Sequence, residues 1–397
     1  MRNVLIIGNG FDIAHGLKTG YKDFVTFCEC IKDFTRSRKY HEIKSGDILD
    51  VCITGFDILK ERMDLFEIPA SISRKFVNYL KDNSDRKIKK EFLMNCVDNY
   101  WLNHIYANKN TLGERWCDLE YLIGMQVEAL AYCANNIDKI KDGYTEYDRN
   151  YENIEIMYNK INEVKSPTYH KKVEKLASEM YEALNSLTFM LEMYLSRFLN
   201  EKRKTIELFE GLAVDYVLSF NYTNTYLQMY KNKKVGAFHF IHGCAEKNRS
   251  KDENNMVFGI GQEIKNSSED EFDYVMFQKY YQRIIKKTGS TYKKWFSKKE
   301  TMNVYIYGHS LDEPDGDIIR EFIEYDKSKV YIFYYDQKSF NSIVVNLIKI
   351  FTKDKIIELT GSGKIEFVEC NDKEKIKSLI QGKDNKNRVE EKMYSFN

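Results

Sequence analysis

The run Val4-Leu5-Ile6-Ile7, entered at Asn3, is apolar at every position and stops abruptly at Gly8-Asn9-Gly10. A strand of this kind needs cover on both faces, the condition of a parallel sheet flanked by helices, and a glycine turn directly after it carries such a strand into a helix. Short β-rich runs return only after residue 210: Val214 to Phe220, Ala237 to Ile241, Asn303 to Tyr307, Val330 to Tyr335 and Lys364 to Val368. Segments with helical character lie among them at Glu271 to Ile285, Ile318 to Tyr325 and Ser339 to Phe351. Strands alternating with helices predict an α/β fold with a doubly wound, Rossmann-like parallel sheet.

Between the first strand and the rest, from Tyr21 to Glu210, the period is helical. Apolar residues recur three and four apart in Leu119-Leu122-Ile123-Val127-Leu130 and in Leu176-Met180-Leu184-Leu187-Leu191-Leu195. A chain of 397 residues also exceeds what a single core usually serves. The expected organisation is a nucleotide-binding sheet domain made of residues 1–24 and 211–397, with residues 25–210 as a large helical insertion after the first βα unit, packed on the sheet as a cap. The polar stretch Asn248 to Asn255 reads as a mobile loop.

Composition excludes some classes. Hydrophobic residues make up 43% of the chain, enough for packed cores, and the formal net charge of +1 supplies no field that would recruit nucleic acid. No apolar run reaches the roughly 18 residues that span a bilayer, so no membrane partner is expected and the cytoplasm is the expected location. None of the eight cysteines forms a C-x-x-C pair, so no metal site is signalled.

Four places can carry chemistry. At Gly8-Asn9-Gly10, backbone N–H groups could approach a phosphate where the next helix starts. The third glycine of a dinucleotide fingerprint is missing, with Ile13 in its place, so a simple tight turn remains the alternative. Asn221 follows the run ending at Phe220, and His242 follows the run ending at Ile241, with Gly243 to turn the chain away. Both would stand at the carboxyl edge of the sheet, where open α/β sheets bind ligands. Asn221 could instead close an Asx turn, and His239 competes with His242 as a titrating base.

Gly308-His309-Ser310-Leu311 resembles the nucleophile elbow of α/β hydrolases, but Asp312 replaces its closing glycine and no histidine follows Ser310. Ser310 is better read as a phosphate or ribose contact. Asp118, in Trp116-Cys117-Asp118-Leu119-Glu120, suits a helix cap. Gly259 and Gly261, after Met256-Val257-Phe258, fit either a turn or a close approach to a ligand.

The stretch Ile6-Ile7-Gly8-Asn9-Gly10-Phe11-Asp12-Ile13-Ala14-His15-Gly16-Leu17-Lys18-Thr19-Gly20-Tyr21-Lys22-Asp23-Phe24 resembles the opening signature of the bacteriophage abortive-infection AbiH family. Lys18 and Gly20 depart from that family's usual proline and small polar residue. The resemblance recurs at Trp116 to Glu120, Ser219-Phe220-Asn221-Tyr222-Thr223, Ile241-His242-Gly243, and Gly308 to Leu311 with Asp315. The order of these blocks is also similar, more distantly, to sirtuin-like NAD-consuming domains, without their zinc ribbon.

That resemblance implies an anti-phage effector that hydrolyses NAD to nicotinamide and ADP-ribose without a metal. Asn221 would hold ribose or water, and His242 would act as base. Contacts to the nucleotide would come from Gly8, Asn9, Gly10, Phe11, Asp12, His15, Gly16, Tyr21, Phe24, Glu120, Gly243, Gly308, His309, Ser310 and Asp315. A phage-derived trigger and a homo-oligomer are compatible with it. The alternative function is a sensor or scaffold that binds a nucleotide without consuming it.

Overall fold

The computed structural model describes residues 1–37, 47–109, 118–141, 151–199, 204–261, 274–297 and 299–382. Trp116 and Cys117, and the first three residues of the helix expected from Glu271, lie outside this set. The chain divides into two compact units, one formed by residues 1–17, 201–244 and 288–397, the other by residues 18–200 and 245–287.

The first unit is built on a six-stranded sheet whose strands all run parallel. The strands are β1 (Arg2–Ile7), β2 (Tyr216–Ser219), β3 (Ala237–Phe240), β4 (Met302–Tyr307), β5 (Ser328–Tyr334) and β6 (Ile365–Glu369), in spatial order β3-β2-β1-β4-β5-β6. Both faces are covered, which is why the strands are apolar without alternation. Val4, Ile6, Leu218, Val304 and Ile306 join one core with Ile318 and Phe322 of the helix Gly316–Glu324 and with Ile343 and Leu347 of the helix Gln337–Ile350. Leu5, Ile7, Val217 and Tyr305 join the opposite core with Phe11 of the helix Asn9–Ala14, Phe209, Tyr226 and Leu379. Growth of the sheet reverses direction between β1 and β4, the kind of point at which open α/β sheets bind ligands outside the carboxyl ends of their strands.

The second unit is helical. Its longest helix, Tyr169–Met193, buries Leu176, Met180, Leu184, Leu187 and Leu191, the stripe predicted from their spacing, and passes into a π-helical turn at Tyr194–Phe198. Phe27, Phe76, Phe92 and Phe198 pack ring against ring in its core, with Phe27 and Phe76 edge to face at 5.0 Å. Among the described residues no helix is long and apolar enough to cross a membrane.

The stretch Asn248 to Asn255, expected to be a mobile loop, is instead tied to a buried carboxylate. Glu192, only 1% exposed, accepts from the Glu246 backbone N–H at 3.0 Å and the Asn254 amide at 2.6 Å, and Arg249 lies 3.3 Å from it. Burial pushes the Glu192 carboxyl up, and these donors pull it back. A charged loop reads as solvated until the carboxylate that orders it, far away in sequence, is known.

Candidate functional site

Because every strand runs the same way, the residues that follow β1, β2, β3 and β4 emerge at one edge of the sheet. Register sets their level: Ile7 pairs with Ser219 and with Tyr307, and Ser219 pairs with Phe240. The glycine turn after β1 therefore lies beside the loop after β4. The Gly8 N–H donates to the Tyr307 carbonyl at 3.1 Å, the Gly10 N–H to the Gly308 carbonyl at 2.7 Å, and the Phe11 N–H to the Gly8 carbonyl at 2.8 Å. A Cβ at Gly8 would stand 2.6 Å from His309 Cα, and one at Gly10 would stand 2.7 Å from Gly308 Cα. Close approach of two backbones thus accounts for this glycine spacing, and these three N–H groups are engaged inside the protein.

Asn221 follows β2 in a turn fixed by Ser219, whose hydroxyl lies 3.2 Å from both the backbone N–H and the carbonyl of Asn221. Its side chain is 5% exposed, and neither amide atom has a hydrogen-bond partner among the described residues. The Asx turn is therefore not formed. Leaving a buried amide unpaired costs about 1–3 kcal/mol, so its orientation calls for a partner of another kind.

His242, buried at the end of β3 before the left-handed Gly243 at φ 77°, brings its Nε2 within 3.0 Å of Asp315 Oδ1. The contact has ion-pair distance without the alignment of a hydrogen bond. His309 Nε2 lies 3.7 Å from the other oxygen of Asp315. The Leu311 N–H donates to His309 Nδ1 at 2.9 Å, so in the neutral ring the proton sits on Nε2, facing that carboxylate. Leu311 makes this bond from a left-handed conformation, φ 55°, which costs a non-glycine residue of order 1–3 kcal/mol. The Phe220 ring packs edge-on against both imidazoles, 4.3 Å from His309 and 5.5 Å from His242 between centroids. Asp315 thus sits between two histidines, walled by an aromatic ring.

The other expected residues are distributed unevenly. Asp12 is buried and accepts from Thr223 Oγ1 at 2.5 Å, tying the first helix to the turn after Asn221. Ser310 is exposed, and its carbonyl accepts from Asn346 at 3.0 Å. Asn9 and Gly16 are exposed. His239 faces Thr291 Oγ1 at 2.8 Å from within β3, burial pulling its pKa down, and so it does not join His242 at the edge. Tyr21, Phe24 and Glu120 belong to the second unit. There Tyr21 donates to Glu120 at 3.2 Å, Glu120 pairs with the buried Lys279 at 2.8 Å, and Phe24 packs on Tyr194. Asp118 caps the helix Leu119–Asn135 by accepting from the Tyr121 N–H at 3.2 Å. Gly259 is held by packing, since a Cβ there would meet the Phe277 carbonyl at 2.2 Å.

His15 is fully buried and anchors the first helix. Its Nδ1 donates to the Phe11 carbonyl at 2.6 Å, its Nε2 accepts from the Tyr230 hydroxyl at 2.8 Å, and that hydroxyl accepts from the Ile206 N–H at 3.1 Å. Tyr230→Phe leaves the buried His15 imidazole and the half-buried Ile206 N–H without this partner and is expected to lower the unfolding free energy by about 1–3 kcal/mol. Urea denaturation with an unchanged midpoint would show the relay to be dispensable.

A family model described as bacteriophage abortive infection AbiH matches residues 4–336 of the chain, from β1 to the end of β5. No curated protein and no solved structure matches it significantly.

Proposed function

The chain belongs to the bacteriophage abortive infection AbiH family, which suggests a role in abortive infection, and we propose that it acts there by cleaving the nicotinamide–ribose bond of NAD at the edge of its sheet. The observation that carries this reading is the unpartnered, buried amide of Asn221 on the same sheet edge as the His242–Asp315–His309 group. The strand order is that of doubly wound Rossmann folds, which bind dinucleotides at the switch point, and the order of blocks resembles that of sirtuin-like NAD-consuming domains.

The chemistry asks little of the protein. The pyridinium departs as neutral nicotinamide with the bonding electrons, water adds to the ribosyl carbon, and one proton is released. Catalysis then consists of holding an oxocarbenium-like ribose, aligning water and accepting that proton. Asn221 can donate to one oxygen and accept from another, as positioning of water or a ribose hydroxyl requires. Asp315 occupies the Nε2 side of His242, leaving Nδ1 to accept the proton, while its carboxylate stabilises the imidazolium that forms. Incubating the purified chain with NAD should release free nicotinamide and ADP-ribose in equal amounts. Intact NAD after incubation with extract from phage-infected cells as well would sink the reading.

A further inference from the structure

Lys32 lies outside everything the sheet edge uses. It stands one turn from the end of the helix Tyr21–Arg36, and the residue is 8% exposed. Its ammonium donates to the Asn103 side-chain oxygen and rests 4.8 Å from the centre of the Tyr106 ring. No carboxylate forms an ion pair with it among the described residues, and none does with Arg36 one turn later. Burial, then the Arg36 charge, pull the Lys32 pKa down, and the Asp98 charge pulls it partly back.

A half-buried ammonium beside a second cation, in contact with an amide and a ring and with Asp98 as the one nearby carboxylate among the described residues, is an unfavourable arrangement in the empty protein. The helix C-terminus offsets part of it, but the dipole amounts to about half a charge against two. These groups line a cavity of about 580 Å³ together with Asp98 and Asn103. That volume falls within the roughly 300–1,000 Å³ of small-molecule sites. Asp98 is held in the wall by the Asn103 amide, which donates to it at 2.7 Å. A carboxylate there disfavours a bare anion and favours a ligand that also carries hydroxyl donors.

We propose that this cavity binds a hydroxylated phosphate ester, with its phosphate between Lys32 and Arg36 and its hydroxyl groups on Asp98 and Asn103. A dianionic phosphate matches two cations and accepts the guanidinium fork of Arg36 in bidentate fashion. Sugar phosphates and mononucleotides share this chemistry.

Calorimetry on the full chain with ribose 5-phosphate, AMP and inorganic phosphate tests it. Ribose 5-phosphate should bind more tightly than inorganic phosphate, and added salt should weaken it. Lys32→Met and Arg36→Met should each weaken it by at least about tenfold, the scale of a lost charge-assisted contact. Tighter binding of AMP marks a nucleotide site, and equal binding a sugar-phosphate site. Lys32→Met should fold at least as stably as the parent, since it removes a desolvated charge, and Arg36→Met, altered at an exposed residue, keeps the test open if it does not. The proposal is overturned if no probe binds, if both variants keep the parental Kd, or if inorganic phosphate binds as tightly as ribose 5-phosphate. Binding abolished by Asn221→Ala and retained by Lys32→Met overturns it too, since the probe would then occupy the sheet edge. The NAD assay is independent of every one of these readings.

Discussion

A folded His242→Ala protein is expected to release nicotinamide from NAD about 10²- to 10⁴-fold more slowly than the parent, the usual loss when a general base is removed. The geometry makes the expectation specific to this histidine. His242 stands at the carboxyl end of β3 against Asp315, whereas His239, three residues earlier and also buried, faces Thr291 from within the strand. His239→Ala is therefore the matched control, and it should keep most of the activity. Asp315→Asn should lose less than His242→Ala, because it removes the stabilisation of the imidazolium and leaves the base in place. Asn221→Ala should abolish turnover with a modest change in the Kd for NAD, separating positioning from affinity. A folded His242→Ala protein with parental turnover, measured as nicotinamide released per minute, would remove this histidine from the chemistry. A parent that binds NAD and leaves it intact under every trigger would return the site to a sensing role.

The sheet was legible because its strands are covered on both faces. Each apolar run begins and ends within two residues of an observed strand; the run at 214 starts two residues before β2, on its approach, and the run at 330 starts two residues inside β5. The helical stretch before β2 was legible for the same reason in another period, as the buried stripe of Tyr169–Met193 illustrates. What local pattern could not supply were the partners. Asp315 is bracketed by His242 and His309 because β3 and β4 lie on opposite sides of the β2–β1 pair, an ordering that no short window of sequence contains. The Thr223–Asp12 bond joins positions 211 residues apart, and Lys279, which meets Glu120, reads locally as one more surface lysine. In each case a polar residue is buried by virtue of its partner, and the partner is set by topology.

The glycines of the first turn give the other large effect. A glycine loop that exists to admit a phosphate tolerates a methyl group at little cost in stability and loses its ligand, whereas one that exists to let two backbones touch loses stability first. The positions after β1 and β4 are of the second kind: a Cβ at Gly308 would stand 2.2 Å from the Phe11 nitrogen, and one at Gly10 would stand 2.7 Å from Gly308 Cα. Gly308 also holds φ at 66°, so Gly308→Ala adds left-handed strain of about 1–2 kcal/mol to an overpacking cost of about 1–3 kcal/mol. Gly16 separates the two contributions, since its φ of 84° is equally left-handed while nothing lies within 4 Å of its Cβ position. Gly16→Ala should therefore lower the unfolding free energy by the conformational share alone, about 1–2 kcal/mol. Gly10→Ala should lose about 1–3 kcal/mol through the steric share, and Gly308→Ala should lose most of all. Equal urea midpoints for Gly308→Ala and Gly16→Ala would show that the two loops do not need their close contact, and the first turn would again be free to serve a phosphate.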